Sequence, residues 1–202
     1  MSYQGIKFQT KKIKSKIPED IRVSTLQGLC KIFHDMNLAP PYERGSYGNL
    51  SYRFDDNKDE FIITCSKSSL KDSTSNDKFA LVHNINLTGL VSYSGAREPS
   101  SESMLHYAIY NKRKDINAIF HGHCKEISEN AENLEIPTTK RFEEYGTKEL
   151  VNSVLDILED NDFIEMKDHG FLALAPSIIE AGLLTLCIYD KCKFTPNDLR
   201  LL

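Results

Sequence analysis

Hydrophobic and polar positions change period several times along the chain, and each change marks an element. From Pro18, the apolar residues Val23, Leu26, Leu29, Cys30, Phe33 and Met36 fall at helical spacing, with Glu19 and Asp20 in the first turn, where a helix dipole favours acids. That helix stops before Ala39-Pro40-Pro41. A glycine-rich loop over residues 44–49 leads into Leu50, Tyr52 and Phe54 alternating with Ser51 and Arg53, the period of a strand. Residues 55–59 carry turn chemistry and Phe61, Ile62, Ile63 and Thr64 return as a partner strand, which predicts a hairpin. Residues 71–78 read as a polar surface loop. Residues 79–82 and 90–93 read as two short strands around Thr88-Gly89.

In the second half, Pro99-Ser100-Ser101-Glu102 opens a helix carrying Leu105, Ala108 and Ile109, with serine available as its N-cap. Residues 116–123, Ile-Asn-Ala-Ile-Phe-His-Gly-His, read as a strand ending in two histidines. Residues 125–133 are polar and weakly helical, and Ile136-Pro137 breaks them. From Thr147 a strong helix places Leu150, Val151, Val154, Leu155 and Leu158 on one face. Asp160-Asn161-Asp162 turns into a strand at 163–166, which leads to His169-Gly170 and continues through 171–174. A capping box, Ser177-x-x-Glu180, starts the last helix through Ala181, Leu184 and Ile188. Helices and strands interleave, yet several strands are joined by turns too short for a parallel crossover. The fold expected is α/β: a three-layer α/β/α sandwich around a mixed, largely antiparallel sheet. No repeat or linker divides it, so residues 18–202 form one domain. Residues 1–17, with Lys7, Lys11, Lys12, Lys14 and Lys16 and few apolar partners, read as a solvated, partly flexible arm.

Composition narrows the function classes. A chain of 202 residues, 40% hydrophobic and 27% charged, is large enough for one core without staples. A net charge of -4 disfavours a nucleic-acid partner. Five cysteines, at 30, 65, 124, 187 and 192, make an odd count with no C-x-x-C pair, which predicts reduced and mostly buried thiols. The N-terminus has no apolar run behind it and no run approaches the ~18 residues of a membrane span, so neither a signal peptide nor a membrane partner is expected and the compartment expected is cytoplasmic.

Chemistry enters at the end of the 116–123 strand. His121 and His123 are spaced so that both side chains leave on the same face, as two ligands of one metal would. A catalytic tetrahedral site uses three protein ligands and keeps one position open, and His169 is the candidate third. Against this stands the plain reading of His-x-His as hydrogen-bonded surface residues. Cys124 faces away from His123, and His34, His83 and His106 have no partner spacing and read as solvated or satisfied histidines.

Five short patterns occur in order: Gly48-Asn49-Leu50-Ser51, Thr64-Cys65-Ser66-Lys67, Ser100-Ser101-Glu102, His121-Gly122-His123 and Asp168-His169-Gly170. Together they resemble the class II aldolase and adducin family, from about residue 20 to about residue 190. The resemblance implies Zn2+ held by His121, His123 and His169, with Glu102 as a catalytic acid/base that also touches the resting metal. It implies a substrate phosphate held by Gly48, Asn49, Ser66, Lys67, Ser100 and Ser101. The activity implied is that of a zinc-dependent aldehyde-lyase cleaving a phosphorylated ketose through a metal-stabilised enediolate, in a homotetramer with the site between subunits. Epimerisation of a pentulose phosphate, or a related decarboxylation, uses the same fold, although those epimerases carry aspartate where Glu102 stands. A non-catalytic binding module like the adducin head is the contrasting class, and such heads are expected to lack the ligands kept here.

The chain also departs from the family. The loop after the second strand usually ends in glycine, whereas Lys67 stands here; at a positive φ a lysine would be strained. Only 22 residues, 124–145, lie between the histidine pair and Gly146, a segment that is longer and carries a proton-donating tyrosine in the family's fuculose-phosphate aldolases. No counterpart of that tyrosine is evident from the sequence.

Overall fold

The computed structural model describes residues 5–55 and 58–193; Asp56 and Asn57 of the expected hairpin turn, and both chain ends, lie outside the described residues. One eight-stranded sheet organises the chain. Its strands are β1 (Thr10–Lys14), β4 (Gly48–Arg53), β5 (Phe61–Thr64), β6 (Phe79–Ile85), β7 (Val91–Gly95), β8 (Ala118–Gly122), β9 (Phe163–Met166) and β10 (Gly170–Ala175). The order across the sheet is β1-β7-β6-β5-β4-β8-β10-β9, and only the β1–β7 pair is parallel. A small hairpin, β2 (Pro41–Tyr42) with β3 (Gly45–Ser46), stands apart from it.

Strand alternation divides the core into two layers. Leu50 and Tyr52 of β4 and Ala118 and Phe120 of β8 pack with α1 (Arg22–Asp35), α3 (Lys125–Asn130) and α5 (Ile178–Lys191). Phe61, Ile63 and Ile119 point the other way, against α2 (Ser103–Lys112) and α4 (Lys148–Leu158). The three-layer α/β/α sandwich with a mixed, largely antiparallel sheet is thus the observed fold. Two helix starts are capped by side chains: Thr147 accepts from the Leu150 N–H at 3.2 Å, and Ser177, read from the sequence as a capping-box residue, from the Glu180 N–H at 3.2 Å. α1 begins only at Arg22, so Glu19 and Asp20, expected in its first turn, precede the helix.

Two expectations for the strands and loops differ from what is found. Residues 10–14, read as part of a solvated arm, are the edge strand β1. Their pairing with β7 uses main-chain groups and needs no apolar pattern, while Thr10 bonds Glu98 at 2.9 Å and Lys12 bonds the Ala96 carbonyl at 2.9 Å. Lysines on an outermost strand also guard it against further pairing. The polar residues of β4 are buried as well: Arg53 is 3% exposed, its guanidinium donating to the carbonyls of Tyr110 and Ile116 at 2.9 and 3.1 Å. The 71–78 loop is bracketed by two short 3-10 turns, Leu70–Asp72 and Asn76–Lys78, the first anchored by buried Leu70.

One buried acid in β9 makes the fold sensitive to pH. Glu165 is 3% exposed, receives one bond from Ser128 at 2.6 Å, and has Oε2 unpaired. Burial pushes its carboxyl up to about 7. A raised acid stabilises the fold below its unfolded pKa near 4.5, and that contribution is lost as pH rises to about 7, on the order of 3 kcal/mol at most. Thermal unfolding of the wild type should therefore weaken between pH 5 and pH 8 (roughly the window of that titration), and Glu165→Gln should flatten the trend. Parallel curves for the two proteins would show that Glu165 is not its source.

Candidate active site

Three strand ends meet where β4, β8 and β10 lie side by side. Glycines permit the approach: at Gly170 a Cβ would stand 3.1 Å from His123 Cδ2 and 3.2 Å from His121 Cε1, and Gly48, at φ +135°, lies against the His121 carbonyl. The end of β8 presents His121, with His123 just beyond it turned to the same side, and the β9–β10 turn, closed by the His169 N–H to the Met166 carbonyl at 2.9 Å, presents His169. Asp168 sits at φ +55° in that turn, a conformation that aspartate tolerates better than most residues. Candidate ligand atoms of the three histidines lie within 4.8 Å of one another.

The tautomers follow from the neighbours. His121 Nδ1 faces the Phe171 carbonyl at 2.8 Å, and His169 Nδ1 faces the Glu143 carbonyl at 3.3 Å. A carbonyl only accepts, so both Nδ1 atoms carry hydrogen and both Nε2 atoms offer lone pairs when the rings are neutral. His121 Nε2 and His123 Nε2 stand 3.1 Å apart. Burial holds His121 below the ordinary histidine range, and His123 well below it. Burial also acts to lower His169, but the Glu102 carboxylate outweighs it and raises the ring.

Glu102 reaches the cluster from the start of α2, where it occupies the N-cap position. The serine expected there acts two residues earlier: Ser100 Oγ accepts from the Glu102 N–H at 3.3 Å, leaving its hydroxyl hydrogen for another partner. Glu102 Oε2 lies 3.1 Å from His121 Nε2 and accepts from Asn49 Nδ2 at 2.7 Å, while Oε1 lies 3.1 Å from His169 Nε2 without hydrogen-bond alignment. Burial works to raise the carboxyl, but His121, His169 and His123 together hold it well below the usual carboxylate range.

Does this arrangement suit a metal? Glu102 Oε1 and Asn49 Oδ1 are buried without hydrogen-bond partners beside three converging imidazoles. An orphaned buried acceptor is costly, and a divalent cation at the three histidines would give the carboxylate a partner. Neutral imidazoles with the opposite nitrogen tied to a carbonyl are the donor set that zinc and its first-row neighbours take. The residues fit.

Every residue singled out from the sequence lines one cavity of about 340 Å³: Gly48, Asn49, Ser66, Lys67, Ser100 and Ser101 with Glu102, His121, His123 and His169. Lys67 has φ +52°, the strained conformation expected if lysine replaced a left-handed glycine. Cys124 is a buried free thiol pushed up to about 12 by burial, and it is outside the histidine cluster. His106 is satisfied at one nitrogen only: Nδ1 meets Ser51 Oγ at 2.7 Å, and Nε2 is buried without a partner.

Several lining residues had no mark in the sequence. The Tyr47 ring lies tilted with its centroid 5.5 Å from that of His123, the Phe142 ring 6.3 Å from that of His169, and Tyr42, Glu144 and Tyr145 complete the wall. Tyr145 stands just before Gly146, inside the segment where no tyrosine counterpart was evident. Lys7 holds this wall from outside, 2.7 Å from Glu144 and 4.2 Å from the Tyr145 ring centroid. Among the described residues no helix is long and apolar enough to cross a membrane.

Comparison with known proteins agrees with this geometry. The family described as "Class II Aldolase and Adducin N-terminal domain" matches residues 27–195. An L-fuculose phosphate aldolase of Methanocaldococcus jannaschii is 29% identical, over 83% of this chain and 91% of the relative. A 5-deoxy-D-ribulose 1-phosphate aldolase of Bacillus thuringiensis serovar kurstaki is 28% identical, over 67% of each. Among solved structures, an L-fuculose 1-phosphate aldolase superposes with a TM-score of 0.69 at 25% identity, covering 86% of this chain and 84% of that one. A sugar-phosphate aldolase from Thermotoga maritima superposes at 0.70 with 21% identity, covering 89% and 95%. With the family matched over most of its length and the three-histidine cavity in place, this chain belongs to the class II aldolase and adducin N-terminal domain family.

Proposed function

We propose that this protein is a zinc-dependent aldehyde-lyase that cleaves a phosphorylated ketose. The observation that carries the proposal is the convergence of His121, His123 and His169 on one point, with the Glu102 carboxylate against it. His121, His123 and His169 would hold the cation, which when bound supplies Lewis-acid stabilisation of the negative charge that builds on the ketose fragment, worth several kcal/mol. Glu102 takes up the proton released as the carbon–carbon bond breaks and returns it to the carbon left behind. Its burial excludes bulk water from that transfer, and Asn49 fixes its orientation through the 2.7 Å bond. The hydroxyls of Ser66, Ser100 and Ser101 and the Lys67 ammonium line the same cavity and would hold the phosphate, with Gly48 and Asn49 closing the near side. Binding there fixes the distance from phosphate to reacting carbon, so that the scissile bond lies beside Glu102. The assembly proposed with this activity is a homotetramer.

Protein purified without chelator should carry about one zinc per chain, a single metal being what three histidines and one open position accommodate. It should release aldehyde from a ketose 1-phosphate in a coupled assay, and chelation should abolish the release. Stoichiometric zinc without turnover across ketose phosphates would leave a metal-binding domain and overturn the enzymatic reading.

A further inference from the structure

Beside the active cavity, and sharing Tyr42, Lys67 and Ser68 with it, lies a second cleft of about 250 Å³. Three separate segments bring cations to it: Arg44 from the β2–β3 turn, Lys78 from the entry to β6, and Arg97 from the exit of β7. With Lys67 these make four positive groups, against Glu43 and Asp72 in the same walls. The whole chain is acidic, with a net charge of -4, so this excess is a local feature and not the average of the surface.

The cations are poorly neutralised. Lys78 and Arg97 share one carboxylate, Asp77, at 3.9 and 4.0 Å, the outer limit of an ion pair. Arg44 lies 3.9 Å from Glu43, and both are well exposed. Lys67 makes no ion pair among the described residues and sits between the two hollows on a backbone at φ +52°. A strained lysine shared by the walls of the two hollows adds a positive charge to both, where two anions would approach each other.

We propose that this cleft is a second anion subsite and that the substrate is a bisphosphorylated keto-sugar. The inference rests on the reading of the adjoining cavity as the site of a sugar phosphate. One phosphate is held by the serines around Glu102, and the other extends past Lys67 to Lys78 and Arg97. Arg97 supplies a planar fork of donors suited to phosphate, and Lys78 a point charge beside it.

Titration calorimetry with pentane-1,5-diyl and hexane-1,6-diyl bisphosphates against pentyl and hexyl phosphate tests this directly. On the wild type at least one bisphosphate should bind about tenfold or more tightly than its monophosphate, the gain expected of a charge-assisted contact. Lys78→Ala with Arg97→Ala should erase that preference while leaving monophosphate affinity and melting temperature near wild type, and Arg97→Lys should keep part of it. Equal affinities on the wild type, or a preference that survives the double substitution, would overturn the subsite. None of these probes has a cleavable bond. A flat titration alongside intact turnover of a ketose monophosphate therefore removes only the second subsite, whereas a wild-type preference that the double substitution erases, without any turnover, removes only the aldolase reading.

Discussion

Glu102→Gln is expected to lower kcat for ketose-phosphate cleavage by about 10²–10⁴-fold, the usual contribution of a positioned acid/base. The substitution is close to isosteric and leaves the three histidines in place, so metal content and KM should change little. Glutamine can still accept from Asn49 Nδ2, which now bonds Oε2 at 2.7 Å, so the orientation survives while the transferable proton does not. The loss should then fall on kcat and kcat/KM alike, the mark of an interaction used in the transition state. If Glu102 were only a first-turn acid favoured by the helix dipole, the variant would retain activity within about threefold, because that effect is worth well under 1 kcal/mol at most surface sites. Steady-state kinetics on metal-replete protein separates the two.

How much of this site could be read without coordinates varies with the kind of interaction involved. The histidine pair was legible because a strand repeats every second residue: β8 buries Phe120 toward one layer and Ile119 toward the other, so the residues continuing that register at its end share a face. Lys67 was legible only through the family resemblance, which implies glycine at that position, and its φ of +52° is the conformation a glycine would take there without strain. The wall formed by Phe142, Glu144 and Tyr145 was not. It belongs to a segment without periodicity, and its place is set by long-range contacts, the Glu143 carbonyl on His169 and Lys7 on Glu144, which local spacing does not encode. The edge strand β1 was missed for a related reason: a parallel pair at a sheet edge is held by backbone hydrogen bonds, and Thr10–Lys14 has no apolar alternation to announce it. The second cleft is the extreme case, since Lys78 and Arg97 flank the neighbouring strands β6 and β7 while Arg44 comes from the separate β2–β3 hairpin, and no local spacing joins the three.

His169→Ala should remove the metal and with it nearly all turnover, a loss of about 10³-fold or more, since the Lewis acid and its positioning disappear together. The fold should persist. His169 lies on a turn between β9 and β10 and contributes little to either apolar layer, whereas replacing a buried core residue such as Phe120 would cost about 3–5 kcal/mol. The deletion does have a second consequence: Glu102 loses the ring that stands 3.1 Å from Oε1, and His121 and His123 remain to offset its burial. Because metal and carboxylate act on the same bond, their losses should not add. Glu102→Gln on top of His169→Ala should lower activity by less than about threefold further, as happens when residues work as one unit. Metal analysis and kinetics on both single variants and the double variant decide the matter. Stoichiometric zinc in His169→Ala, or a double variant whose loss equals the product of the singles, would mean that Glu102 and the three histidines do not form one reacting centre.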